Sequence, residues 1–386
     1  MMLSNPVKLA IFRRDLMGGG AERVLINLAG RFAELGFKVD LILSCAEGTL
    51  LNFVPASVEI IDLKATNLDN QQFLKLPTSF SSLTSLPKLV AYLQKEKPAA
   101  LISASHYSNE IAILAKLLAR VSTSVIVSEH IAVSVQARQV EQVSSRLTPW
   151  TSRILYPFAN GIVAVSKGVA IDLAETAKIP LQNIKTIYNP VINPELIKIS
   201  QKAVDYPCLG FDSSPVILGA GRLVKQKDFP NLIKAFALVR EKMPAKLVIL
   251  GKGREEKRLK NLIKELNLED EVALLGFVAN SCAYMAKADV FVLSSAWEGL
   301  PTVLIEALAV GTPVVSTDCE SGPKEILAHG KYGDLVPVGD YKAMAAAILK
   351  VLSGKTKTVD QAWLDQFTLE TATKKYIDLL FGETRS

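Results

Sequence analysis

The sequence predicts an α/β protein made of two doubly wound, parallel-sheet domains. Three observations predict it. Short apolar runs of strand length alternate with helix-length segments of 3.6-residue period along the whole chain. The runs are continuously apolar, as strands covered on both faces of a parallel sheet are. The series breaks once, at Tyr188-Asn-Pro-Val-Ile-Asn-Pro194, and starts afresh at Val216. A chain of 386 residues is long enough for two domains of roughly 100–200 residues each.

The elements follow in order. Lys8–Phe12 and Lys38–Ser44 predict buried strands, with a helix over Glu22–Leu35 between them. Leu25, Leu28, Ala29 and Phe32 give that helix its apolar face, and Gly36 ends it. Leu101–Ser103, Ser124–Ser128 and Gly161–Val165 continue the strands. The second series places strands at Val216–Ala220, Lys246–Leu250, Val272–Leu275, Val290–Ser294 and Pro313–Ser316, and helices at Phe229–Lys242, Glu255–Leu266 and Pro301–Val310. A linker near 190–212 divides the chain into domains spanning 1–195 and 196–362. Trp363–Phe381 predicts a final helix. Ligands of such sheets bind outside the carboxyl ends of the strands, so the loops that follow strands are where function is sought.

Composition narrows the classes. The chain is 49% hydrophobic and 21% charged, that of a globular protein. Cys45, Cys208, Cys282 and Cys319 form no Cys-x-x-Cys pair, which argues against a zinc site or a disulfide framework. His106, His130 and His329 are too few for a His-rich metal centre. No stretch approaches the roughly 18 uncharged apolar residues of a membrane span. The charged pair in MMLSNPVKLAIFRRDL comes too early for a signal peptide. The net charge of +6 fits ordinary solubility, and suits an anionic ligand or a membrane surface. Neither a basic stripe nor an aromatic platform points to nucleic acid.

Ser295–Val315 then raises a chemical question. Its helix is apolar on nearly every face, yet the stretch carries Glu298 and Glu306. A buried carboxylate is costly unless something pairs with it. Ribose or sugar hydroxyls would, and the N–H groups near Thr302 at the helix start suit a phosphate. The structural alternative has Glu298 favoured by the helix dipole and Glu306 paired with a buried cation. A second constellation, Gly221-Arg-Leu-Val-Lys-Gln-Lys-Asp228, follows the first strand of the second series. Arg222 and Lys227 there could neutralise a diphosphate, Arg by a planar fork and Lys as a point charge. A solvated charged loop is the alternative, and it suits Lys225. Gly251-Lys-Gly253 and Leu275-Gly-Phe-Val278 are further strand-end loops.

The Glu–seven residues–Glu spacing of Glu298 and Glu306, the Gly-Arg-Leu…Lys loop and Gly19-Gly-Ala-Glu-Arg23 together resemble the retaining nucleotide-sugar glycosyltransferases of family 4. The motifs keep their order over nearly the whole chain. Ser321-Gly-Pro-Lys-Glu-Ile-Leu327 adds a likeness to bacterial enzymes acting on lipid-linked or polysaccharide precursors. The resemblance implies the GT-B fold, two Rossmann-like domains facing a central cleft, with helix 363–381 returning to the first. It implies an acceptor-binding first domain and a donor-binding second one. Arg222 and Lys227 would hold the donor diphosphate, Glu306 the ribose, and Glu298 the transferred sugar. Gly299, Leu300, Pro301 and Thr302 would meet the sugar and distal phosphate, and Phe277 and Val278 the base. Gly19 and Gly20 would let the first domain's backbone approach the reacting centre. His130 matches the family's active-site histidine, with His106, which also follows a strand, as its rival. No cofactor is implied beyond a nucleotide diphosphate sugar as co-substrate, with UDP the expected nucleotide. No metal is expected, since no Asp-x-Asp pair lies at a strand end. The acceptor would be a glycan or a polyprenyl-diphosphate-linked sugar, met in the cytoplasm or at the inner face of its membrane.

Gln142–Phe158 places Leu147, Trp150, Ile154, Leu155 and Phe158 at helical spacing, with Arg146 and Arg153 a heptad apart. It reads either as an interfacial helix for a membrane-borne acceptor or as a core-facing helix; Pro149 and ordinary amphipathicity favour the second. Phe80, Leu83 and Leu86 suggest an acceptor loop or a mobile one. A nicotinamide oxidoreductase fits poorly, because Gly18–Arg23 lacks the Gly-x-Gly-x-x-Gly spacing and Lys38–Ser44 ends without the ribose-binding acid. A sugar-nucleotide epimerase, a glycogen-type phosphorylase or a non-catalytic relative shares the architecture. The first two explain the two glutamates with the Arg–Lys loop less well. A non-catalytic relative would be favoured by loss of one of those residues, and all are present.

Overall fold

The computed structural model describes residues 6–65, 84–139, 146–204 and 214–382. Among these, the chain falls into two compact units. One runs up to Pro190 and takes in the segment from Leu369 onward; the other is Val191–Thr368. The expected boundary at 195/196 lies inside the helix Pro194–Ser200, which belongs to the second unit. Asn193 starts that helix by accepting from Leu196 N–H at 2.8 Å, and Pro194 fills its first turn.

The first unit holds a parallel sheet of β1 (Lys8–Arg13), β2 (Lys38–Leu43), β3 (Val58–Asp62), β4 (Ala100–Ala104), β5 (Ser124–Glu129), β6 (Gly161–Ala164) and β7 (Ile184–Thr186). Their order is β3-β2-β1-β4-β5-β6-β7. β1 pairs in register with β2 from Lys8↔Lys38 to Arg13↔Leu43 and with β4 from Leu9↔Ala100. The helix Gly20–Glu34 turns Val24, Leu25, Leu28, Ala29 and Phe32 onto the sheet. Ala372 and Tyr376 of the helix Leu369–Phe381 join the same core, and Phe381 stacks on Phe37 with ring centres 5.8 Å apart.

The second unit holds β8 (Val216–Ala220), β9 (Lys246–Leu250), β10 (Val272–Gly276), β11 (Val290–Leu293), β12 (Val314–Thr317) and β13 (Asp334–Val336), ordered β10-β9-β8-β11-β12-β13 and parallel throughout. Phe229, Leu232, Phe236 and Val239 from the helix Phe229–Arg240 meet Met344, Ile348 and Val351 from Tyr341–Leu352 on one face. In each sheet the strand order reverses beside the first strand, between β1 and β4 and between β8 and β11. Loops leaving strands at such a switch point form a crevice that binds ligands.

One sequence expectation changes here, and another falls largely outside the described residues. Of the helix expected over Gln142–Phe158, residues 142–145 lie outside the described residues, and the described part is Thr148–Leu155 followed by a tight turn at Tyr156–Phe158. It is not a core-facing helix. Leu147, Trp150, Ile154 and Phe158 stand 58%, 64%, 43% and 52% exposed, while Thr148 and Ser152 face inward. Sequence period located the stripe, but the inward face is bound by hydroxyls, so the period could not tell which side is wet. Phe80 and Leu83 of the suspected acceptor loop lie outside the described residues; Leu86 begins the helix Leu86–Glu96.

Candidate functional site

In the second unit the loops after β8 and β11 flank the switch point. The first carries Arg222 and Lys227, the second Glu298. The two are laced together. Ala296 N–H donates to Gln226 O at 2.8 Å, the Gln226 amide to Trp297 O at 3.0 Å, and Ser294 Oγ to Lys227 O at 2.7 Å. Glu298 is 6% exposed. Lys227 Nζ meets its Oε1 at 2.5 Å, and Ser295 Oγ donates to the same oxygen at 2.7 Å. Sequence reading assigned Lys227 and Glu298 to different parts of a ligand; the structure pairs them with each other. This is how a carboxylate survives burial here. Both contacts fall on Oε1, so Oε2 keeps its acceptor capacity. The Arg222 side chain is exposed and enters no hydrogen bond or ion pair with the described residues.

Pro301 caps the helix Thr302–Ala309 with extended backbone, and no side chain closes its first turn. Glu306, 7% exposed, accepts from Ser281 Oγ at 3.3 Å and lies 3.9 Å from Cys282 Sγ. Gly299, Leu300 and Pro301 are buried, and Thr302 is half-buried. Gly322, at φ +90°, is pressed against them: a Cβ there would fall 2.6 Å from Pro301 Cδ and 2.9 Å from Gly299 O. Sequence reading quoted Gly322 only inside a motif, and its positive φ is what makes glycine obligatory. Cys319 was missed as a neighbour of the site. Its thiol is pushed up to about 12 by burial and by the Glu298 carboxylate, with Lys227 opposing, so it stays protonated. Phe277 is exposed and Val278 half-buried, beyond Gly276 at the end of β10. Among the described residues no three His, Cys, Asp or Glu side chains gather as a metal site.

The first unit gathers a second cluster at its own switch point. Arg13, closing β1, donates to Ala104 O at 2.8 Å at the end of β4 and to Glu22 Oε1 at 2.6 Å. Glu22 stands in the first turn of Gly20–Glu34, where the helix dipole favours it. Gly19 is the residue before that helix, and a Cβ on it would lie 2.2 Å from Glu22 Oε2. The glycine therefore lets a carboxylate fold back over the helix start; Gly20 beside it is exposed. His130 follows β5, half-buried, with Nε2 3.3 Å from Ser128 Oγ. Burial, then the Arg13 charge, hold its imidazole down at about 3, with Glu22 opposing, so it is neutral.

His106 is built differently. It is 1% exposed, 3.0 Å from Glu110 and 3.4 Å from Glu129. Tyr156 donates to Glu129, and Asn109 donates to Glu129 at 3.2 Å and to Tyr156 at 3.1 Å. Burial alone would lower its pKa, but the hydrogen bonds it donates to the Glu110 and Glu129 carboxylates lift it to about 9. Enclosure in this network suits a structural role, and the more open His130 suits contact with a ligand.

Residues 18–192 match the family described as Glycosyltransferase Family 4, and 209–362 match Glycosyl transferases group 1. The chain is 34% identical to an N-acetylgalactosamine-N,N'-diacetylbacillosaminyl-diphospho-undecaprenol 4-alpha-N-acetylgalactosaminyltransferase of Campylobacter jejuni, over 89% of this chain and 90% of that one. It is 27% identical to the lipopolysaccharide core biosynthesis glycosyltransferase LpsE of Rhizobium meliloti, over 94% and 96%. The fold is shared with Anabaena HepE, solved in complex with UDP-glucose, at a TM-score of 0.75 and 21% identity over 97% of this chain and 99% of that one. It is shared too with the lipopolysaccharide outer core galactosyltransferase WaaB, at a TM-score of 0.71 and 20% identity over 98% and 100%. Its two parallel-sheet units are thus those of the GT-B fold, and the chain belongs to the glycosyltransferases, with a family 4 first half and a group 1 second half.

Proposed function

We propose that the protein transfers a hexose or N-acetylhexosamine, with retention of configuration, from a nucleoside diphosphate sugar to a polyprenyl-diphosphate-linked or other glycan acceptor in cell-surface polysaccharide or glycolipid synthesis. UDP is the nucleotide we favour. One observation carries this above all: Lys227 and Glu298 pair across the two loops that flank the β8/β11 switch point, with Arg222 on the first of those loops and Glu306 on the helix that follows the second. The acceptor class is supported by the Campylobacter relative, whose name specifies transfer to a diphospho-undecaprenol-linked sugar.

The chemistry follows from the groups present. Arg222, unpaired, offers its fork to the diphosphate. Lys227 and the N–H groups at Thr302 and Val303 add positive potential to the distal phosphate. Glu306 accepts from ribose hydroxyls, and Glu298 Oε2 from a hydroxyl of the sugar. The bond from the sugar's anomeric carbon to the phosphate oxygen breaks, and a bond to the acceptor oxygen forms on the same face. The acceptor's proton passes to the departing phosphate oxygen. Stabilisation of that leaving charge by fixed cations supplies the rate enhancement, with no metal required. A neutral His130 contacts the transferred sugar as a hydrogen-bonding group without adding charge. The exposed stripe Leu147–Phe158, with Arg146 and Arg153, is the surface we assign to peripheral membrane contact at the inner face of the cytoplasmic membrane; among the described residues no helix is long and apolar enough to cross a membrane.

Thermal unfolding with UDP, GDP and their sugar derivatives tests the donor site. Binding raises the midpoint by linkage, by about 2.7 kcal/mol of stability at a hundred times Kd. The unaltered chain should respond to one nucleotide class, and Arg222→Ala and Glu306→Gln should lose most of that response. A response kept in full by both variants would place the nucleotide elsewhere.

A further inference from the structure

Arg222, Lys227, Glu298 and Glu306 sum to no net charge, while a donor diphosphate brings a negative charge on each phosphate. Lys227 is already held by Glu298 at 2.5 Å. A neutral set attracts a polyanion poorly, so the donor reading above calls for a further cation from a neighbouring loop.

The sheet order says which loop. β9 lies between β8 and β10, so the loop leaving β9 lies between the Arg222–Lys227 loop and Phe277–Val278. That loop is Gly251-Lys-Gly-Arg254. Its backbone is stacked directly on its neighbours. A Cβ on Gly251 would fall 1.9 Å from Gly221 O, and one on Gly253 2.2 Å from Leu223 O. Gly251 N–H donates to Gly276 O at 2.7 Å, and Leu223 N–H donates to Lys252 O at 3.0 Å. Lys252 is therefore fixed by its backbone to the loops on both sides. Its side chain runs toward the base loop: a Cβ on Gly276 would lie 3.2 Å from Lys252 Cε. The side chain is exposed and enters no hydrogen bond or ion pair with the described residues. The nearby acid Glu256 is paired with Lys260 at 2.8 Å.

We propose that Lys252 is a donor-site cation, binding the nucleoside-proximal phosphate of a nucleoside diphosphate at the junction of the diphosphate and base loops. This rests on the donor reading and extends it. A lysine that is merely solvated would leave nucleotide binding unchanged, and this separates the two cases.

Calorimetric titration of the full chain with UDP, GDP and UMP, at low and physiological salt, makes the test. Lys252→Gln should weaken binding of the preferred diphosphate roughly tenfold, the loss of one charge-assisted hydrogen bond, and flatten its salt dependence. UMP should lose by a similar factor, because it keeps the nucleoside-proximal phosphate. Lys252→Arg should restore most of the affinity. The unfolding midpoint without nucleotide should not move, because the side chain is exposed and unpaired. Binding by Lys252→Gln within about twofold of the unaltered chain overturns the proposal while leaving the donor site intact. Absence of any nucleotide binding by the unaltered chain overturns both.

Discussion

At the scale of single residues, the Lys227–Glu298 contact bears on stability and lies at the heart of the proposed donor site. Removing Lys227 leaves a buried carboxylate uncompensated, which costs about 3–5 kcal/mol. In a unit of this size that lowers the unfolding midpoint on the order of 10 °C. Lys227→Ala should therefore be markedly destabilised before any ligand is added. Lys227→Ala combined with Glu298→Gln should recover much of the loss, because no charge is stranded. Thermal scans of the single and double variants check this; a double variant no more stable than the single one would contradict it. Arg222 is the cleaner probe of ligand binding, since it has no structural partner to strand. The residue types and loop positions of Arg222, Lys227, Glu298 and Glu306 were legible in the sequence because their motifs follow strands directly. Their mutual pairing was not, because the contact spans 71 positions. The same limit hid Cys319 as a neighbour of Glu298 and Lys227.

At the scale of elements, the central strands and the first helix of each unit were readable, since parallel strands covered on both faces are continuous apolar runs. β3, β7 and β13 lie at or toward sheet edges. Their residues mix polar and apolar types, Val-Glu-Ile-Ile-Asp in β3 and Ile-Lys-Thr in β7, and so gave no such run. The helix Thr148–Leu155 shows the opposite failure: its period was found and its orientation mistaken. Ser152, hydrogen-bonded to Thr148 O at 2.9 Å and within 3.5 Å of His106, turns the polar side inward. The apolar stripe faces out instead. Trp150→Glu with Ile154→Glu should leave nucleotide binding within about twofold and reduce sedimentation with vesicles containing anionic lipid by at least severalfold, as expected when an apolar anchor meets the interface. Unchanged sedimentation would remove the stripe from the membrane account.

At the scale of the whole molecule, each unit presents its chemistry at its own topological switch point. The second unit carries the cations and carboxylates of the proposed donor site; the first carries His130, near the Arg13 and Glu22 charges, at its own switch point. The C-terminal helix Leu369–Phe381 is part of the first unit's core through Ala372 and Tyr376, so the chain leaves that unit and returns to it. The return of this helix to the first unit was implied by the family resemblance and not by spacing, because the contacts of Tyr376 are with residues far earlier in the chain; its expected start at Trp363 moves to Leu369, since Gln361–Leu364 is a separate short helix of the second unit. The most direct measurement follows labelled sugar from UDP-N-acetylgalactosamine and UDP-N-acetylglucosamine into an undecaprenyl-diphosphate-linked saccharide, with the unaltered chain beside Glu306→Gln. The unaltered chain should move label from one of these donors into the lipid fraction with the donor's anomeric configuration kept, and Glu306→Gln should lose at least tenfold in rate. Equal transfer by the two proteins, or inversion at the anomeric carbon, would contradict the proposed function.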